Sequence, residues 1–433
     1  MRFAASVEGG FALTIETTET PAADDSLRAP LPRQFMQRDD PSKLPPALAA
    51  LAEQSPVGRS TLPDGDPFWM VSGYDEARAV LSDPRFSSDR FRYHPRFKKL
   101  SGQLGERLRN DKARAGSFIN MDPPEHTRYR KLLTGQFTVR RMRQLTVRIE
   151  QIVTEQLDVM LAEGNSADLV SAFAVPVPSL MICELLGVRY EDRTEFQRRA
   201  AGLLQTDLPI KQAVENLEAQ RAFMQRLVTD KRTTPADDMI SGLVHHAGAE
   251  PPLTDDELVG IATLLLFAGL DTTASMLGLG MFMLLQRPEQ MAVLRDDPSR
   301  IGDAVEELLR YLTVVSTGLF RFAKEDVVLG DEHIPAGSTV VVSLMAANRD
   351  GRHWPEPETL DVTRVRSSHL AFGHGVHQCL GQQLARIELT VGITELLCRL
   401  PNVRLAVPPA DVPLRNDMIT YGVHRLPILW GTP

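Results

Sequence analysis

Cysteine is scarce in this chain, and its scarcity removes two common sources of stability and chemistry. The 433 residues contain three cysteines, Cys183, Cys379 and Cys398. Three scattered cysteines are too few for a disulfide framework or a zinc cluster. Cys183 and Cys398 lie in apolar stretches, so we expect both to be inert core thiols. Cys379 lies in a glycine-flanked segment instead, and its role needs a separate explanation.

Excess basic charge and targeting segments are also lacking. The net charge of −8 argues against a general nucleic-acid binder and favours a cytoplasmic protein. Residues 1–32 contain neither a basic-then-apolar signal pattern nor a hydrophobic run of anchor length. We interpret them as a poorly ordered N-terminal extension, and we expect no membrane anchor. No flavin or nucleotide-binding motif is found.

No linker, low-complexity tract or fixed-period repeat divides the chain. A length of 433 residues by itself favours two or three domains, but proline and glycine are spread along the chain. We therefore predict one large helix-rich domain over residues 33–433. Strands are a minor component: residues 68–71 are predicted to form a strand, and residues 327–329 and 338–344 to pair as a hairpin.

The longest apolar segment is predicted to be a single helix. Thr254 and Glu257 have the capping-box spacing, and the next helix breaker is Pro288. A transmembrane span is the competing interpretation, because the apolar run is long enough to serve as an anchor. The polar group around Asp271 and the absence of basic flanks favour a helix buried through the centre of the protein.

The segment around Cys379 has the pattern Phe-x-x-Gly-x-x-x-Cys-x-Gly, whose other defined positions are Phe372, Gly375 and Gly381. Glycine allows close approaches that a side chain would forbid, so the loop can press against a flat cofactor. Backbone N–H groups and the start of the next helix are expected to lower the pKa of the Cys379 thiol. For a lone cysteine an inert buried thiol is the alternative. The full pattern resembles the haem-ligand loop of the cytochrome P-450 family of haem-thiolate monooxygenases.

The resemblance implies a single cytochrome P-450 type domain, mainly α with small β-sheets. Haem b would lie between the long central helix and the loop that carries Cys379, the metal ligand. The haem propionates need cationic or hydrogen-bonding partners. The positions that match the family are His126, Arg130, Arg321 and His377. Without the resemblance, each of these would be interpreted as a surface residue.

A polar motif in the middle of the long helix resembles the oxygen-activation motif of the same family. Its residues are Ala268, Gly269, Asp271 and Thr272. By the resemblance, Gly269 leaves room for dioxygen, Thr272 hydrogen-bonds to its own helix or to a ligand, and Asp271 delivers protons from solvent. The alternative is a threonine-rich patch that satisfies its own backbone, with Asp271 at a helix–helix contact.

Glu307 and Arg310 are spaced i, i+3, which by itself predicts only a surface ion pair. In the cytochrome P-450 family such a pair is joined by a later arginine in a buried structural triad, and Arg364 matches that third position. The family usually has an aromatic residue where this chain has Leu360. The triad is expected to support the ligand loop rather than to take part in catalysis.

The resemblance implies a soluble, monomeric enzyme of the bacterial type. It would insert one oxygen atom of O2 into an apolar small molecule, by hydroxylation or epoxidation of a secondary metabolite or xenobiotic. Because the chain has no flavin motif, electrons from NAD(P)H would come through a ferredoxin and a ferredoxin reductase. Two alternatives stay open: an atypical outcome such as peroxide-driven oxidation, coupling or nitration, and a catalytically silent accessory haem protein. The presence of Cys379 argues against the second.

Between His126 and Ile149 there are seven lysines and arginines and no acid. One interpretation is a solvated helix face, and the other is a surface that attracts an acidic ferredoxin.

Substrate contacts match no motif; by analogy they are expected from residues 88–118, 190–220, 265–266, 314–319 and 419–420. An acidic substrate would fit Arg90, Arg92 and Arg96, although exposed solubilising charge is the alternative.

Overall fold

The computed structural model describes residues 31–94, 114–196, 210–246, 251–365, 368–416, 418 and 420–431. Nearly all of the predicted N-terminal extension, together with Arg96 and Ile419, lies outside these residues. The helices are α1 Pro46–Gln54, α2 Tyr74–Ser82, α3 Arg90–Tyr93, α4 Glu125–Thr134, α5 Val139–Ala162, α6 Pro176–Leu186, α7 Ile210–Thr233, α8 Met239–Val244, α9 Asp255–Leu285, α10 Pro288–Asp296, α11 Ile301–Leu312, α12 Leu344–Ala347 and α13 Gln382–Arg399. The strands are β1 Val57–Thr61, β2 Pro67–Val71, β3 Phe86–Ser87, β4 Ser166–Asp168, β5 Leu319–Ala323, β6 Val327–Leu329, β7 Glu332–Ile334, β8 Thr339–Val342, β9 Arg404–Leu405 and β10 Pro427–Leu429. The prediction of a mainly helical fold with small sheets is confirmed.

The central helix α9 begins and ends where the sequence predicts. Thr254 Oγ1 accepts a hydrogen bond from the Glu257 N–H at 3.2 Å, and Glu257 Oε2 accepts one from the Thr254 N–H at 2.7 Å. The 31 residues of α9 span about 46 Å. By length and composition α9 could cross a membrane, but 61% of its most apolar window is buried inside the protein, as in the core helix of a globular fold. It packs against α6, α7 and α13, which carries its mid-helix residues into the interior.

The main sheet has the strand order β1-β2-β8-β5-β3, with only β2 and β8 parallel. The predicted hairpin is wrong in one strand: β6 pairs with β7, whereas β8 lies between β2 and β5. Gly330, with a φ of +59°, allows the short turn between β6 and β7. Every residue of β8 is buried, which suits a central strand. A second sheet has the order β4-β10-β9.

Apolar side chains form one large core among the helices and two smaller cores around the main sheet. Cys183 is buried in the large core, as expected, but Cys398 is exposed. The prediction for Cys398 was wrong because Leu396 and Leu397 take the inward positions of α13 and the next residue turns outward.

Candidate active site

The Cys379 loop consists of tight turns that end at the start of α13. The Cys379 N–H donates to the Phe372 carbonyl oxygen at 2.8 Å, and the Gln378 N–H donates to that of Gly375 at 3.0 Å. Gly375 has a φ of +72°, and a Cβ there would lie 2.3 Å from the Leu81 carbonyl oxygen in α2. Glycine at 375 is therefore required by the contact with α2, which differs from the expected contact with a flat cofactor.

Gly381 lies in a different environment. A Cβ at this position would meet no atom within 4 Å, and a φ of −85° suits any residue. The Cys379 side chain, two residues earlier, is accessible. The loop therefore leaves an open space beside an accessible thiol, and a larger side chain at 381 would extend into it.

Burial raises the pKa of the Cys379 thiol. This effect outweighs the Gly381 N–H and the guanidinium groups of Arg130 and Arg386, which lower the pKa. The expected net lowering was wrong, because protein atoms replace much of the water that would solvate a thiolate. A thiol that is accessible yet largely surrounded by protein lies in a recess. A metal ion there would take the place of the proton and supply the positive charge that a thiolate needs.

The four residues predicted to bind propionates meet in one cationic cluster, His126, Arg130, Arg321 and His377. The two histidine rings are 4.0 Å apart between centroids and tilted by 45°. Arg321 is only 6% exposed. The charge of Arg130 affects the pKa of both His377 and Cys379. The cationic cluster therefore adjoins the recess that holds the thiol.

The histidines of the cationic cluster are neutral at pH 7. Burial, with a smaller contribution from the nearby arginines, lowers the pKa of His126 to about 4 and that of His377 to about 3. Both ring nitrogens of His126 are buried without a hydrogen-bond partner. Buried guanidinium groups need a negatively charged acceptor, and the N–H of a neutral, unpaired histidine ring needs an acceptor as well. The two carboxylates of a haem would supply it, so the cluster fits the expected cofactor.

The oxygen-activation motif has one accessible face and one buried residue. Ala268 is exposed in the middle of α9, and Thr272, one turn later, donates from Oγ1 to the Ala268 carbonyl oxygen at 2.7 Å. Asp271 is buried, and its carboxylate accepts hydrogen bonds from Arg415 and Thr420 in the C-terminal segment. In the described part of the chain, the hydrogen bonds of Asp271 join α9 to the C-terminal segment, and its role in proton delivery stays a prediction.

Gly269 is directed toward α6 rather than toward the accessible face. A Cβ at this position would lie 2.5 Å from the Cδ1 atom of Ile182. Glycine at 269 therefore allows α6 and α9 to pack closely. The expectation that Gly269 leaves room for dioxygen was wrong, because position 269 faces α6. Ala268 is the small residue that faces accessible space.

Glu307, Arg310 and Arg364 come together in the structure. Arg310 Nε and Nη2 each donate to one carboxylate oxygen of Glu307 at 2.8 Å, and Arg364 Nε donates to Oε1 at 3.1 Å. Glu307 and Arg310 are 3% and 1% exposed, so a surface ion pair is excluded. Arg310 Nη1 also donates to the carbonyl oxygens of Asn348 and Pro357, each at 2.9 Å. The triad thus ties α11 to the irregular segment that leads to the Cys379 loop.

Sequence reasoning missed a second acid in α11. Glu306 accepts a hydrogen bond from Arg386 Nε at 2.7 Å and lies 3.1 Å from His369 Nε2. Burial alone would raise the pKa of Glu306, but these two partners lower it to about 2. The Arg386 guanidinium also lies over the Phe372 ring, 4.5 Å from its centroid. Glu306 therefore supports the ligand loop through Arg386, and its position next to Glu307 was the available signal.

The basic segment between residues 126 and 149 is partly neutralised. Three of its arginines pair with acids of other elements, and these are Arg128, Arg141 and Arg148. Lys131, Arg140 and Arg143 are exposed, and none has an acidic partner among the residues that the structure describes. The interpretation as an attractive surface is thus limited to these three cations.

Two segments expected to contact substrate are joined to each other. The Tyr421 N–H donates to the Val314 carbonyl oxygen at 2.7 Å, and Val315 forms an isolated bridge with Thr420. Much of the expected contact regions 88–118 and 190–220 lies outside the described residues.

Comparison with known proteins supports the same class. The family described as Cytochrome P450 matches residues 64–420. The chain is 50% identical over 390 residues to cytochrome P450 105C1 of a Streptomyces species, with 89% of this chain and 95% of the relative covered. It is 41% identical over 417 residues to the vitamin D3 dihydroxylase of Streptomyces griseolus, with 96% and 100% covered. The crystal structure of Rif16 in complex with R-L aligns with a TM-score of 0.84 at 68% identity, over 92% of this chain and all 100% of that one.

The fold is that of haem-thiolate monooxygenases, in which a cysteine thiolate binds the haem iron. Since the family matches most of the length and a relative reaches 50% identity, the chain belongs to the cytochrome P450 family. It is an oxidoreductase that binds haem b and inserts one oxygen atom of O2 into its substrate.

Proposed function

We propose that this monooxygenase hydroxylates a large, mainly apolar secondary metabolite, and that Cys379 is its iron ligand. The observation that carries the ligand assignment is one accessible thiol beside a cationic cluster, with Arg130 affecting the pKa of both Cys379 and His377. The vitamin D3 dihydroxylase at 41% identity supports an apolar substrate, and Rif16, which is 68% identical, provides a second compound to test, R-L. When bound, the haem supplies the iron at which dioxygen is activated.

The cationic cluster would hold the haem carboxylates. Arg130 and Arg321 provide charge, and the neutral rings of His126 and His377 provide N–H donors. Burial of these groups makes their hydrogen bonds to a carboxylate stronger than they would be in water. Phe372, Gly375 and Gly381 shape the loop that presents Cys379 to the same recess.

Asp271 and Thr272 would handle protons. Because the Thr272 hydroxyl donates to its own helix, its oxygen lone pairs remain available as acceptors toward the accessible face. Thr272 is therefore suited to hold a proton-bearing ligand or water in place. The Asp271 carboxylate is the ionisable group nearest in sequence that can exchange the proton.

The electron donor would be a ferredoxin, reduced in turn by a ferredoxin reductase. Lys131, Arg140 and Arg143 offer exposed positive charge on a chain whose net charge is −8. A local basic surface on an acidic protein attracts an acidic partner in a defined orientation. In this proposal the enzyme works as a monomer in the cytoplasm.

The substrate class is tested by titrating the haem-loaded enzyme with R-L and with vitamin D3. A substrate that displaces the water on the iron shifts the Soret band, so we expect a saturable spectral change with at least one of these compounds. Turnover under ¹⁸O2 with a ferredoxin and its reductase should place one labelled oxygen atom in the product. A spectrum unchanged by both compounds, or product oxygen that comes from water or peroxide, would contradict the proposal.

A further inference from the structure

Each carboxylate oxygen of Asp271 accepts a hydrogen bond from the C-terminal segment. Its Oδ1 accepts a hydrogen bond from Arg415 Nη2 at 2.8 Å, and its Oδ2 accepts one from Thr420 Oγ1. Asp271 and Arg415 have side chains 11% and 10% exposed, so this ion pair is buried. Neither the sequence motif nor the family resemblance pointed to Arg415.

Arg415 is fixed on α9 at two positions one turn apart. Its Nη1 donates to Ser275 Oγ at 2.8 Å, while Nη2 bonds Asp271. The sulfur of Met418 lies 3.0 Å from Arg415 Nε, and the Arg415 N–H donates to the Gly422 carbonyl oxygen at 2.9 Å. The guanidinium therefore has a defined orientation, set by the helix on one side and by its own segment on the other.

This arrangement controls where the acid can act. Successive helix residues point about 100° apart, so Asp271 is directed to the C-terminal segment while Thr272 borders the accessible face. Each carboxylate oxygen of Asp271 already accepts one hydrogen bond, so Arg415 and Thr420 set the direction in which the remaining lone pairs can exchange a proton with Thr272. Removal of the cation would leave a buried carboxylate without its partner, which is strongly unfavourable.

We propose that Arg415 is a positioning residue for proton delivery, which holds Asp271 and sets its availability to Thr272. Thr420, the second partner of Asp271, forms an isolated bridge with Val315 and is thereby held in place as well. The inference rests on the proposed proton-handling role of Asp271.

The test compares Arg415→Gln with Arg415→Lys in the haem-loaded enzyme. We expect Arg415→Gln to consume NAD(P)H with product formation reduced about tenfold and peroxide increased, the scale of losing a partner that orients a reacting group. The solvent deuterium isotope effect on turnover should change as well, because a proton transfer becomes slower. Arg415→Lys keeps the charge and should recover much of the coupling between NAD(P)H oxidation and product.

Lys231→Gln is the matched control. Lys231 forms an ion pair with Asp238 at 2.7 Å, with side chains 9% and 4% exposed, and this pair does not involve Asp271. Its loss should lower stability to a similar extent but leave the coupling and the isotope effect unchanged.

A readout independent of turnover is the urea midpoint of unfolding. Asp271→Asn and Arg415→Gln each leave a buried partner unpaired, so the double variant should be more stable than the sum of the single effects implies. If the change in urea midpoint of the double variant equals the sum of the two single changes, the positioning role is overturned. Normal coupling of NAD(P)H oxidation to product in Arg415→Gln, when Asp271→Asn is uncoupled, would overturn it as well. Both results would leave the proposed function intact. Normal coupling in Asp271→Asn would instead refute the role of Asp271 itself.

Discussion

Cys379 is the residue on which the haem assignment depends. Replacement by alanine removes the thiol proposed as the iron ligand, so Cys379→Ala should lose the strongly red-shifted Soret band of the reduced carbon monoxide complex. Cys398→Ala is the matched control, because Cys398 is an exposed cysteine of α13. The measurement is the difference spectrum of the reduced protein with and without carbon monoxide. Retention of the shifted band in Cys379→Ala would show that another group binds the iron.

Thr272 carries the second residue-scale prediction. Its hydroxyl donates to the Ala268 carbonyl oxygen at 2.7 Å, as Thr394 does to the Thr390 carbonyl oxygen in α13. Thr272→Ala removes an acceptor from the accessible face and should divert reducing equivalents into peroxide. The ratio of peroxide to product should rise about tenfold or more, and about tenfold is less than the usual contribution of an acid–base group to the rate. Thr394→Ala removes the same backbone bond elsewhere and should leave the ratio of peroxide to product unchanged. Equal ratios in the two variants would mean that Thr272 has only a structural role.

At the scale of elements, α13 links the ligand loop to the core and contains a buried acid with an unusual environment. Glu388 is 3% exposed, and its Oε2 has no hydrogen-bond partner. Burial raises the pKa of Glu388 from 4.5 to about 8. The folded chain therefore binds this proton more tightly than the unfolded chain does.

The sign of the pH effect follows from that shift. The contribution of Glu388 to stability is fully present below pH 4.5 and is lost as the pH rises toward 8. Between pH 4.5 and pH 7 the free energy of unfolding of the wild type should fall by about 3 kcal/mol because of Glu388. Glu388→Gln cannot ionise and should not show this fall. Urea unfolding across this range measures the difference, with Glu163→Gln, at an exposed position, as the control. Parallel pH profiles for wild type and Glu388→Gln would contradict the raised pKa.

The elements differ in how far local sequence determined them. The start of α9 depends on Thr254 and Glu257, which interact across one turn, and the sequence therefore predicted it. The pairing of β8 was not predicted, because its neighbours β2 and β5 come from distant parts of the chain. An apolar run such as residues 339–342 fits several partners, and only the assembled sheet selects two of them.

For the whole molecule, the positions of the exposed charges predict where an electron donor binds, which the net charge does not. Lys131, Arg140 and Arg143 are exposed cations on a protein with a net charge of −8. The double variant Arg140→Glu/Arg143→Glu should lower the rate of reduction by a ferredoxin about tenfold at low salt. Higher ionic strength should reduce that difference, because salt screens exposed charges. Stopped-flow reduction of the enzyme measures both effects.

The control for this surface is Arg404→Glu, which changes the charge at an exposed residue of β9. It should leave the reduction rate close to that of the wild type. A loss as large as that of the double variant, or a loss that salt does not diminish, would show that overall charge or a structural change is responsible.

The sequence by itself determined the class of this protein, because its signals are local. The loop from Phe372 to Gly381, the capped helix α9 and the pair Glu307 and Arg310 each depend on residues within a few turns of one another, so their spacing is visible in the chain. Their order along the sequence was enough to show the resemblance to haem-thiolate monooxygenases, which implied the class.

Tertiary structure alone decided which distant groups complete the site. Arg415 reaches Asp271 across 144 positions and Arg386 reaches Glu306 across 80, and no local pattern marks either pair. Packing also reversed two local expectations: glycine at 269 accommodates Ile182, and burial raises the pKa of the Cys379 thiol despite the cations nearby. The physical reason is that the desolvation of a charge and the clearance around a side chain depend on all surrounding elements, whereas spacing depends only on the chain's own neighbours.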